Sequence, residues 1–142
     1  MLAVQQPDPA ATQRVGEIAA KAAQRVNQDK TGWTMEREYN HIGVATQRWK
    51  KAGGHRMEVQ ISCYKSVEEA DRQFQLKVSL VPRGVPEQLE GLGDKAVQIL
   101  KLNGSGGSIT IRKGAFLIII RGTSLESAHS FARHVVDSID EK

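Results

Sequence analysis

From Asp8 to Gln28 the apolar residues return every three or four positions, at Val15, Ile18, Ala19, Ala22 and Val26. That period sets them on one stripe of a cylinder and predicts an α-helix over 9–28. Asp8 offers an oxygen to the free amides, and Pro9, which has no N–H to lose, suits the first helical position. The stripe is rich in alanine, so this helix can approach a sheet closely. The pattern then shifts to strand-like runs, predicting strands at 32–40, 43–50 and 55–64, with Gly53-Gly54 turning the chain between the last two. In "RMEVQISC" Met57, Val59, Ile61 and Cys63 alternate with other residues, so one face of that strand is buried.

Ser66 to Glu69 has the spacing of a capping box, in which the serine accepts from an amide three residues on and the glutamate reaches back. Val67, Ala70, Phe74 and Val78 then predict a second helix, 67–80. The segment 81–93, "VPRGVPEQLEGLG", has two prolines and three glycines and reads as an irregular connector. Strands are predicted at 95–102, 108–113 and 115–121, turning at Asn103–Gly107 and at Lys113-Gly114. A last helix, 125–140, carries Leu125, Ala128, Phe131, Ala132, Val135, Val136 and Ile139 on one side.

The predicted order is therefore α-β-β-β-α-β-β-β-α, an α+β domain with a mainly antiparallel sheet of about six strands. "AFLIIIR" is apolar at consecutive positions, so both faces of that strand are covered. The second and third helices are expected on one face and the alanine-faced first helix on the other, an α/β/α sandwich. "VQISCYKSVEEA" and "LIIIRGTSLESA" also align at a spacing of 58, pairing Ile61 with Ile119 and Ser66 with Ser124. Two readings stand: a duplicated β-β-β-α unit with halves 32–80 and 94–140, or a chance likeness between two capped helices that follow strands. Residues 1–8 read as a flexible segment, 9–142 as one domain and 81–93 as the connector.

A chain of 142 residues is long enough for one self-sufficient core. The single cysteine, Cys63, excludes an intrachain disulfide and any multi-cysteine metal cluster. It falls in phase with buried strand residues, which marks it as core rather than nucleophile. No apolar run approaches the ~18 residues of a membrane helix. His129 and His134 are five apart on one helix and diverge, His134 and Asp137 read as a solvent-facing pair, and His41 and His55 are the only other histidines. No metal, cofactor or catalytic set is expected. The glycines of "EGLGDKA" precede a strand, whereas a phosphate loop needs them between a strand and a helix, so that segment is expected to be a turn.

"GLGDKA", the "RKG" hairpin, the apolar strand after it and "SLESAHSFARHVV" together resemble the small extracytoplasmic domains of bacterial lipoproteins and sensor proteins, often of PsbP-like α/β/α fold. The resemblance covers 91–140 best, and Lys95 stands where such domains carry a second acid. It implies a non-enzymatic binding or accessory role in the cell envelope, with an unidentified protein or small ligand as partner. "MLAVQQPDPA" has no basic, apolar leader. The expectation is an exported chain whose signal peptide is not within this sequence; the alternative is a cytoplasmic start.

The net charge of +4 permits an acidic partner. One surface stands out: "TQRWKKAGGHR" gathers Arg48, Trp49, Lys50, Lys51, His55 and Arg56 around a hairpin. Basic groups with an interleaved aromatic can contact phosphate and stack a base, so polyanion or nucleic-acid binding through this hairpin is the alternative function. The competing reading is a solvated hairpin whose lysines discourage edge pairing.

Overall fold

Asp8 caps a 3-10 turn, Pro9–Ala11, rather than the first helix itself: its carboxylate accepts from the Ala10 N–H at 3.0 Å, and the α-helix begins only at Thr12, without a side-chain cap. The computed structural model describes residues 6–79, 85–100 and 106–140. In chain order these form α1 (Thr12–Gln28), β1 (Thr34–His41), β2 (Val44–Lys51), β3 (His55–Cys63), α2 (Val67–Ser79), β4 (Val85–Leu89), β5 (Lys95–Leu100), β6 (Gly107–Lys113), β7 (Phe116–Gly122) and α3 (Leu125–Asp140). The capping serine of α2 behaves as its spacing implies, accepting from the Glu69 N–H at 3.1 Å. Ser124 does the same for Ser127 at the start of α3.

The fold is α+β, with one antiparallel sheet in the order β1-β2-β3-β7-β6-β5-β4. It has seven strands rather than six. The additional strand, β4, lies inside the expected connector 81–93, where Pro86 argued against regular structure. β4 is the sheet's edge, and an edge strand tolerates a residue that cannot donate to a further neighbour. Pro82 and the turn residues Asn103, Gly104 and Ser105 lie outside the described residues. So do Met1 to Gln5 of the segment expected to be flexible, whereas Asp8 is tied down, its N–H donating to Cys63 O at 2.7 Å.

The layering differs from expectation. α1 and α3 lie side by side on one face of the sheet, and α2 alone covers β6 and β7 on the other. The alanines explain it: Ala19, Ala22 and Ala23 of α1, with Ala128 and Ala132 of α3, let the two helices share one layer. Over Val59, Ile61, Ile109, Ile111, Ile118 and Ile120 they build the main core. α2 has a narrower apolar stripe, and Ala70 and Phe74 close a smaller cluster with Tyr64 and Leu117. The consecutive apolar residues of β7 are thus covered on both faces, as the pattern predicted. Three strands followed by a helix do occur twice. Yet Ile61 faces the main core, while Ile119 alternates with Ile118 and Ile120 and faces the other way, so these matched residues are not equivalent in space.

α2 is also held by charge. The Asp71 carboxylate accepts from Lys95 Nζ at 2.8 Å and Arg112 Nε at 3.1 Å, and Arg112 reaches on to Asp94 and the Gly114 carbonyl. The Lys95 hydrogen bond, aided by both positive charges, holds the Asp71 carboxyl below its ordinary pKa despite a smaller opposing effect of burial. Among the described residues no helix is long and apolar enough to cross a membrane.

Cys63 is buried in the main core, and desolvation pushes its thiol pKa up, with Asp8 adding to the shift and Arg14 opposing it. The thiolate is the reactive form. Native protein is therefore expected to react with a chromogenic disulfide reagent at least ~1,000-fold more slowly than protein in denaturant, the suppression set by the rarity of opening. Rapid stoichiometric labelling of native protein would contradict the core assignment.

Candidate functional site: the open face of the sheet

Side chains on a strand alternate between the two faces, and this divides the candidate hairpin. Ala45, Gln47 and Trp49 of β2 point to the helices, while Arg48 and Lys50 point away from them. Trp49 is only 1% exposed. Its ring meets Phe131 edge-on at 5.5 Å, and its indole N–H donates to Gln47 Oε1 at 3.2 Å. The Gln47 amide in turn donates to Ala19 O and to Glu38. The Trp49 ring therefore belongs to the main core and is too buried to stack a base.

Lys51 and His55 pair across the hairpin and point to the helix side. They line a groove of about 350 Å³ together with Trp33, Phe131, Asp29 and Glu126. The Lys51 ammonium lies 5.8 Å from the centre of the Trp33 ring, and His55 Nδ1 is 3.3 Å from Thr123 Oγ1. His134 Nε2 sits 2.5 Å from Asp29 Oδ2, a partner on another element rather than Asp137. The histidines do not converge. His129 contacts Gln98, and His41 and His55 flank opposite ends of β2, roughly 23 Å apart along the strand. Among the described residues no three histidine, cysteine or acidic side chains are placed to share a metal ion.

Arg48, Lys50 and Arg56 face the other way, onto a part of the sheet that α2 does not reach. The register aligns them with residues from distant strands. Arg37 lies opposite Arg48, Arg48 opposite Glu58, and Glu58 opposite Arg121, one rung across β1, β2, β3 and β7. The neighbouring rung pairs Lys50 with Arg56. Glu58 lies between two arginines, its oxygens 3.8 Å from Arg48 and 3.7 Å from Arg121. Arg56 pairs with Glu36, the residue at the irregularity in β1. Arg37 stacks over Tyr39 at 5.0 Å, and Tyr39 meets the exposed His41 ring edge-on. Five permanent cations thus face two acids across these rungs.

Of the six hairpin candidates, the fold keeps three on this face, sends two to the groove and buries one. Arg37, Tyr39, Glu58 and Arg121 belong to the face but were not among the candidates. Alternation in "EREYNH" carried part of that signal; the β3–β7 pairing that brings Arg121 beside Glu58 did not show in either segment alone.

No family model, curated protein or solved structure matches this chain.

Proposed function

We propose that this protein is a non-enzymatic binding module that holds an anionic partner against the open face of β1, β2, β3 and the Arg121 end of β7. The observation that carries the reading is the five-to-two excess of cations there: Arg37, Arg48, Lys50, Arg56 and Arg121 against Glu36 and Glu58. A one-signed face raises the local concentration of oppositely charged ligands and speeds their encounter. The resemblance of 91–140 to small extracytoplasmic domains of PsbP-like fold supports a place in the cell envelope, as an accessory domain whose partner is a macromolecule or a ligand bearing negative charge.

The test is anisotropy of two fluorescent probes, a single-stranded oligonucleotide and polyglutamate, against the full chain over a range of salt. Binding at low salt is expected for at least one probe, with a log–log salt slope of about −3 for the oligonucleotide if most of the five cations neutralise phosphates. Arg48→Glu with Lys50→Glu should weaken that binding by at least about 30-fold, since it removes two favourable charges and adds two repulsive ones. Both side chains are exposed, so thermal stability should change by no more than ~0.5 kcal/mol. Unchanged binding in the double variant, or no binding of either probe by the parent protein, would remove the assignment.

A further inference from the structure

Guanidinium groups differ from ammonium groups in carrying five donors in a planar fork, which matches the oxygens of phosphate. Three such forks, on Arg48, Arg56 and Arg121, border one shallow cavity of about 330 Å³ at the margin of the open face, lined also by Glu36 and Glu58 and, from the core side, by Trp49 and Met57. Arg48 and Arg121 sit two strands apart, on β2 and β7, roughly 10 Å between backbones, and Arg56 is one rung further along β3. The antiparallel register fixes this triangle.

Glu58 orders the pair without satisfying it. At 3.8 Å and 3.7 Å its oxygens are beyond hydrogen-bond length from the two guanidinium groups, so attraction draws both arginines inward while their donors stay uncommitted. Among the described residues neither Arg48 nor Arg121 makes a hydrogen bond to a protein acceptor. These two groups are also about half exposed, so a ligand reaches them without any opening of the fold.

We infer that this cavity binds a tetrahedral oxyanion, the terminal phosphate monoester of the anionic partner. Charge-assisted, two-pronged bonds from arginine to phosphate are among the stronger polar contacts available to a protein surface. A monoester dianion has three unsubstituted oxygens, enough for the two uncommitted forks and for the donors that Arg56 keeps beside its bond to Glu36. A carboxylate has only two, and a phosphodiester has two and a single charge. The nearby Lys50 and Arg37 keep the face positive after Glu36 and Glu58 are counted, so the second charge of the dianion is favoured. The inference rests on the open-face reading above and specifies what that face recognises.

The experiment titrates the full chain with methyl phosphate, dimethyl phosphate and acetate, followed by calorimetry and by NMR shifts of the arginine side chains. Methyl phosphate is expected to bind at least about tenfold more tightly than either competitor, the difference that charge-assisted hydrogen bonds supply. Arg121→Lys keeps the charge and removes the fork, and is expected to weaken methyl phosphate at least about fivefold. A thermal melt of that variant verifies its fold, and Arg133→Gln, exposed on α3 in the helix layer behind the sheet, should change methyl phosphate affinity less than about twofold. Methyl phosphate no tighter than acetate, or an unchanged affinity in Arg121→Lys, would overturn the inference. If that happens while salt-sensitive binding of the polymer probes persists, the phosphate site falls and the open-face reading stands. If the polymers also fail to bind, both fall.

Discussion

Trp49→Ala is expected to destabilise the domain by about 3–5 kcal/mol, the range for truncating a large buried aromatic, and for a domain of this size that approaches complete unfolding. The ring is 1% exposed and packs edge-on against Phe131, which packs edge-on against Trp33, so one substitution opens a cavity where α3 meets β2 and the loop after α1. It also removes the donor that Gln47 Oε1 accepts, leaving a polar atom without its partner in the core. Urea denaturation followed by far-UV circular dichroism checks this directly. The charge-reversed Arg48→Glu, Lys50→Glu protein should unfold near the parent midpoint in the same experiment. A Trp49→Ala protein with normal stability and lost ligand binding would reverse the assignment and return the tryptophan to the surface.

The contrast between Trp49 and its neighbours shows what could be read from sequence and what could not. The helices were legible because their signals are local: the Asp8 cap on the turn leading into α1, the Ser66 and Ser124 oxygens, and apolar residues at three- and four-residue spacing. The position of Trp49 was legible too, since a two-residue period forbids it from sharing a face with Arg48 and Lys50. The charges on either side give the hairpin the composition of a surface, which its period contradicts at Trp49. β4 was hidden by Pro86, whose cost depends on whether the strand is at an edge, which is a property of the whole sheet.

Layering and the candidate site were hidden for a related reason. Both α2 and α3 follow a strand through a serine cap, and nothing in either segment states which face the helix turns towards. That choice is made by packing, where α1 and α3 present alanines to each other and α2 presents Phe74 to Leu117. The arginine triangle depends on β3 lying beside β7, so that Glu58 meets Arg121 from the far end of the chain. Period gives the face of each residue within its strand. Only strand order gives its neighbours.

The second large effect is expected at Gly93, where alanine should cost about 2–5 kcal/mol. Two causes combine there. The backbone has φ of +67°, a left-handed conformation that costs a residue with a Cβ about 1–2 kcal/mol. The Cβ itself would lie 2.7 Å from Ile111 Cγ2 and 2.9 Å from the Arg112 carbonyl, so strand β6 or the turn must move, at a further ~1–3 kcal/mol. Neither can move cheaply. Leu92 on one side is anchored in the main core, and Asp94 on the other donates its N–H to Arg112 O while its carboxylate accepts from Gly114 N–H and from Arg112. Gly91 is the internal control, with φ of +74° but open space around its missing Cβ, so Gly91→Ala should cost only about 1–2 kcal/mol. Urea midpoints of the two variants measure the difference. Equal losses would mean that close approach to β6 contributes nothing and that left-handed geometry alone selects glycine. A Gly93→Ala protein of normal stability but weakened phosphate binding would instead make "GLGD" an anion loop. The expected result makes it a clasp: two glycines that let a leucine dive into the core and an aspartate fasten β5 to the β6–β7 turn.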